Sequence, residues 1–179
     1  IVNKKMKKHI LILLVIINNT LFSQTVITEN LKEFYKIKVY NGIHLELIKS
    51  SENKIEVSGD KSSKIKIKNT DGIIRVALRF PELLAGDKVN VKLYYNKDIQ
   101  TIDGNEGAKI IGKEIHQTHL EVKAQEGAFI KLQIKTKHLK VKAITGGVIE
   151  LIGTSKNQDI ELDLYGIYHG YGLQTSNSC

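Results

Sequence analysis

The chain of 179 residues carries 27 Lys and Arg against 19 Asp and Glu, a formal net charge of +8, with 41% hydrophobic and 26% charged residues. That length suits one domain able to bury a core, and the composition excludes a disordered tail and a polytopic membrane protein. The single Cys, Cys179, has no partner within the chain, which excludes intrachain disulfides and multi-cysteine zinc sites.

The first predicted element is an export signal. From Met6 the chain reads Lys7-Lys8, then the apolar stretch Ile10 to Ile17, then a polar run ending near Ser23. A basic n-region, a short h-region and a small residue at the cleavage point predict a signal peptide over residues 1–23, leaving 24–179 as one mature domain. An apolar stretch of eight residues reaches only about 12 Å as a helix, so no stable membrane span is expected after cleavage. Removing Lys4, Lys5, Lys7 and Lys8 leaves 23 basic and 19 acidic residues, a net charge of +4. Half of the basicity therefore belongs to the export segment, and no nucleic-acid partner is expected.

Strands follow in the first half of the mature chain. Ile37-x-Val39, Ile43-x-Leu45-x-Leu47, Ile55-x-Val57, Ile65-x-Ile67, Ile74-x-Val76-x-Leu78-x-Phe80 and Val89-x-Val91-x-Leu93 alternate with period two, divided by turn signals at Asn41-Gly42, Gly59-Asp60 and Asp71-Gly72. No amphipathic helix of four turns interrupts them.

The second half repeats. Ile102-Asp103-Gly104-Asn105-Glu106-Gly107-Ala108 aligns with Val122-Lys123-Ala124-Gln125-Glu126-Gly127-Ala128 and with Val141-Lys142-Ala143-Ile144-Thr145-Gly146-Gly147, and Ile160-x-Leu162-x-Leu164 begins a fourth copy. In that alignment Glu121, Lys140 and Glu161 stand one above another. A unit of about 20 residues cannot bury its own apolar face, whereas stacked copies can, which predicts an all-β solenoid without disulfides. The chain stops as a further coil is due at Leu173-x-Thr175, so the domain is expected to be incomplete at its C-terminus.

Phe34-x-x-Ile37-x-Val39-x-x-Gly42-Ile43, Ile55-x-Val57-x-Gly59, Asp71-Gly72 before a strand, and the repeated Gly-Ala or Gly-Gly turns form an ordered set from Phe34 to Cys179. In this the chain resembles the head GIN domain family, exported bacterial proteins described as "putative autotransporter adhesins". The resemblance implies a right-handed parallel β-helix without catalytic residues, and adhesion at the cell surface.

Two clusters stand out as candidate sites. Tyr165, Tyr168 and Tyr171 are spaced by three among glycines, and such rings offer flat faces for sugars with a hydroxyl at one end. His119 stacks under His138 in the repeat alignment, with Asp159 in the next coil, and two imidazoles and a carboxylate are ligands that Zn²⁺ or Cu²⁺ accepts. A packed turn and an exposed polar ladder are the plainer readings of these two clusters. Acid pairs such as Asp103 with Glu106 lie in loops, and no nucleophile, phosphate-loop or metalloprotease pattern occurs.

The sequence therefore predicts an exported, non-enzymatic protein of the periplasm, cell surface or medium, without a cofactor, that binds a surface glycan or protein. A carbohydrate-active lyase or hydrolase on the same fold, and a structural envelope protein, are the alternatives.

Overall fold

The computed structural model describes residues 26–83 and 89–178. The export signal expected over residues 1–23 lies outside the described residues.

Alternation turns into strands along the whole described chain. The strands are β1 (Ile27–Asn30), β2 (Lys36–Val39), β3 (His44–Lys49), β4 (Lys54–Ser58), β5 (Ile65–Thr70) and β6 (Ile73–Leu78) in the first half. β7 (Asn90–Tyr95) and β8 (Thr101–Gly104) lead to four long strands: β9 (Lys109–Ala124), β10 (Phe129–Ala143), β11 (Val148–Leu162) and β12 (Ile167–Ser178). One short 3-10 turn, Ser62–Lys64, is the sole helical element among the described residues. β2 and β4 place Ile37, Val39, Ile55 and Val57 inward with no exposure, while Lys36, Lys38 and Glu56 face out. Each such aliphatic side chain contributes about 1.5–3 kcal/mol by leaving water.

All twelve strands join one sheet. Its main path runs β1-β4-β7-β3-β9-β8-β2-β6-β5, and β10, β11 and β12 follow outward from β9. The pairs β1–β4, β4–β7 and β5–β6 are antiparallel and the others parallel.

The sheet is thus all-β, but it is a curled half-barrel of mixed direction, not the right-handed parallel β-helix with about 20-residue repeats that the sequence and the resemblance led us to expect. The physical reason lies in what alternation records. It marks which face of a strand is buried and is the same for parallel and antiparallel neighbours, so a repeat confined to the second half said nothing about the hairpins of the first.

The long strands must bend. Phe129 pairs with Lys109, and Ala143 with Ala124, so β9 and β10 run parallel although only Gln125 to Ala128 join them. A straight 16-residue strand would put its ends about 50 Å apart, far beyond what a short connection spans. β9 therefore curls, pairing with β3 along Lys109–Gly112 and with β8 along Glu121–Ala124. The connecting turns stack as well: Gly42 N–H donates to the Glu106 carbonyl at 2.8 Å, Gly107 to Glu126 at 2.9 Å, Gly127 to Thr145 at 3.1 Å and Gly146 to Leu164 at 2.9 Å.

The register corrects the fourth copy. Lys140 pairs with Asp159, and Lys142 with Glu161, so the column above Glu121 and Lys140 ends in Asp159, two residues from the position that the repeat alignment gave. A slip of two keeps every side chain on its own face, so alternation cannot detect it.

Candidate functional site

Bulges interrupt two of the long strands, β9 and β12, at about one level of the sheet, while β10 and β11 pair with each other there without a shift. Between β9 and β10 the pairing passes from Leu132↔Gly112 to Ile134↔Ile115, so Lys113 and Glu114 oppose Gln133 alone, with Glu114 at φ +56°. Between β11 and β12 it passes from Glu150↔His169 to Ile152↔Gly172, leaving Gly170 and Tyr171 opposite Leu151. An extra residue on one strand bends it and increases its twist. Gly172 permits the second bulge, since a Cβ there would stand 2.7 Å from Ile152 Cγ2.

Beside these bulges the outer face carries apolar side chains. Ile111 and Ile152, 48% and 38% exposed, lie with Ile48 on a groove of about 440 Å³. A second hollow of about 450 Å³ shares Glu46 and Ile111 and reaches Phe129. At the rim Lys131 Nζ meets Glu150 Oε1 at 2.6 Å. The signal for this groove was present in the sequence. Ile110-Ile111-Gly112 breaks the alternation with two adjacent aliphatics before a glycine just ahead of the bulge at Lys113 and Glu114, and Leu151-Ile152-Gly153 does the same opposite the bulge of β12.

Further along the same face, Tyr94 and Glu56 form a polar cluster. Tyr94 Oη–H donates to Glu56 Oε2 at 3.0 Å, and Lys54 Nζ lies 2.9 Å from Glu56 Oε1 and 4.4 Å from the Tyr94 ring centre. The Lys54 ammonium, then the Tyr94 hydroxyl, hold the Glu56 carboxyl below the usual carboxylate range, and Glu56 in turn raises Lys54.

The structure separates the three tyrosines named from the sequence. Tyr165 and Tyr171 are 91% and 98% exposed. Tyr168 packs against the core and donates its hydroxyl proton to Gln158 Oε1 at 2.8 Å, and burial pushes its phenol up to about 12. Tyr165 and Tyr171 therefore lie on the surface, the Tyr171 ring 6.3 Å from that of His169, and Tyr168 stands between them in sequence as a packing residue.

The imidazoles of His119 and His138 do stack, with centroids 4.8 Å apart and planes 13° from parallel. The third position of their column is Asn157, whose side-chain amide lies 3.2 Å from His138 Nδ1, while Asp159 stands beside Lys140. All five line one shallow hollow of about 320 Å³. Among the described residues no group of three or more His, Cys, Asp or Glu side chains is placed to hold a metal ion. Of the acid pair in the sequence, Asp103 is buried in β8 and Glu106 sits in the following turn at φ +52°.

With this geometry in place, the comparison with known proteins is decisive for kinship. The family described as "Putative auto-transporter adhesin, head GIN domain" matches residues 33–178. The chain belongs to this head GIN domain family. The solved structure of a "putative adhesin" from Bacteroides fragilis is similar with a TM-score of 0.76 at 14% identity, over 87% of this chain and 75% of that one. A "putative adhesin" from Parabacteroides merdae gives 0.61 at 15% identity, over 88% and 77%. A "putative lipid binding protein" from Parabacteroides distasonis gives 0.56 at 12% identity, over 87% and 78%. At these identities the likeness is one of fold. No curated protein matches the chain. Among the described residues no helix is long and apolar enough to cross a membrane.

Proposed function

We propose that this head GIN domain is exported and acts as a non-enzymatic adhesin, holding a surface glycan or protein on the outer face of its sheet at the bulges. The observation that carries this reading is the exposed aliphatic floor of Ile111 and Ile152, edged by Glu46, Lys49, Lys113, Glu114 and Lys131. Contiguous exposed apolar surface rimmed by polar groups is characteristic of interaction sites. The exposed ring of Tyr171, in the bulge beside Ile152, extends this surface with a face suited to sugars. Membership of an adhesin-described family supports the same reading.

The test uses beads coated with the protein and measures their attachment to bacterial and epithelial cells. Ile111→Asp removes attachment while leaving the melting temperature within a few degrees, because a half-exposed side chain contributes little to the core. Attachment that survives Ile111→Asp, or no attachment by the unaltered protein, overturns the reading. Release of reducing ends from glycans by the same preparation would instead establish a carbohydrate-active enzyme.

A further inference from the structure

A row of cations crosses the other wing of the sheet. Strand register sets Lys68, Arg75, Lys38, Asp103, Lys123 and Lys142 side by side on β5, β6, β2, β8, β9 and β10. They occupy outward positions of strands whose alternate residues, such as Ile37, Ile74, Val122 and Val141, are buried. Neighbouring strands lie about 4.8 Å apart, so the row is a line about 24 Å long.

The one acid within this line is already committed. Asp103 has no exposure; its Oδ1 accepts hydrogen bonds from Asn105 Nδ2 at 3.0 Å and Gln125 Nε2 at 3.1 Å. Its Oδ2 meets Lys38 Nζ at 3.2 Å in an ion pair without hydrogen-bond geometry. Lys142 pairs with Glu161 at the end of the row, whereas Lys68, Arg75 and Lys123 have no ion pair among the described residues. Lys68 with Arg75, Arg75 with Lys38, and Lys123 with Lys142 are direct cross-strand partners of like charge. Such pairs destabilise a sheet, and an external anion lying along them would remove the repulsion.

We propose that this row binds a linear acidic polysaccharide, with the carboxylates or sulfates of successive sugars meeting successive cations. A line of single cations one strand apart, broken only at the buried Asp103, suits a polymer that carries an anionic group on each ring. No position in the row is aromatic, as stacking of unpaired bases requires, and none is apolar, as anchoring in a bilayer requires. The proposal rests on the adhesion reading for the kind of partner, but on a surface separate from the Ile111 groove.

The experiment measures binding of the protein to immobilised polygalacturonate over a range of salt, with neutral dextran, phosphatidylglycerol-containing vesicles and oligothymidylate as comparators. Polygalacturonate is held, with affinity falling as salt rises, and dextran is not. The double variant Arg75→Gln, Lys123→Gln weakens binding about tenfold and lowers the log–log salt slope by about two. Lys135→Gln with Lys137→Gln, two exposed lysines off the row, makes the same change in net charge and leaves affinity within about twofold, since distant charges are screened. The melting temperature of the row variant stays level or rises as like charges are removed, which separates loss of binding from loss of fold. Equal weakening by both double variants, tighter binding of vesicles or oligothymidylate, or no binding of polygalacturonate overturns the proposal. If polygalacturonate is not held while Ile111→Asp still abolishes cell attachment, this inference falls and the adhesion reading stands; if polygalacturonate is held at the row while attachment survives Ile111→Asp, the groove reading falls and this inference stands.

Discussion

Tyr165 stands at φ +67° in the turn position that Gly107, Gly127 and Gly146 fill in the three preceding turns. A residue with a Cβ is strained there by about 1–2 kcal/mol, because the left-handed region crowds Cβ against the backbone. Glycine would return part of that gain through its freer unfolded chain. Tyr165→Gly is therefore expected to stabilise by roughly 0.5–1 kcal/mol, read as a higher urea midpoint with unchanged slope. A fall in the midpoint would show that the exposed ring makes stabilising contacts after all. At this scale the sequence was partly legible. It identified the stacked imidazoles, set Asp159 two residues out of register, and did not distinguish the packed Tyr168 from the exposed Tyr165 and Tyr171, because a side chain's face is local information while its neighbour across the sheet is not.

Among elements, the same two-residue turn serves two purposes. Asp71-Gly72, with φ values of +51° and +73°, closes the antiparallel hairpin of β5 and β6. Asn41-Gly42, with +59° and +70°, joins β2 to β3, yet these two strands pair with other strands and not with each other. Turn chemistry reads the local reversal, and only the partners waiting on either side decide between hairpin and corner. The stacked corners also set how close adjacent strands come. A Cβ on Gly147 would lie 2.1 Å from the Ala124 carbonyl oxygen, whereas one on Gly127 meets nothing within 4 Å. Gly147→Ala should thus cost about 2–3 kcal/mol by overpacking, and Gly127→Ala about 1 kcal/mol for its positive φ alone. Thermal melts of the two variants check the order, and equal losses would contradict the close approach at Gly147.

For the whole molecule, burial couples distant tyrosines to folding. Tyr95 on β7 and Tyr168 on β12 are each raised by burial from the ordinary 10.0 to about 12. An unfolded chain ionises these phenols near pH 10 while the folded one still holds their protons. The stability they contribute is complete below pH 10 and is lost as pH rises towards about 12. Denaturant melts across this window should show stability falling with pH, and Tyr95→Phe or Tyr168→Phe should each flatten the fall. A slope unaltered by both substitutions would place the alkaline loss elsewhere. The sequence by itself determined the all-β character, most strand positions and the inward residues, since each depends on alternation within a few neighbours. Tertiary structure alone decided strand direction, the register of the last repeat, and the alignment of Lys68, Arg75, Lys38, Lys123 and Lys142. A period of two is unchanged by reversing a strand or sliding it by two residues, so only pairing across the sheet distinguishes those states.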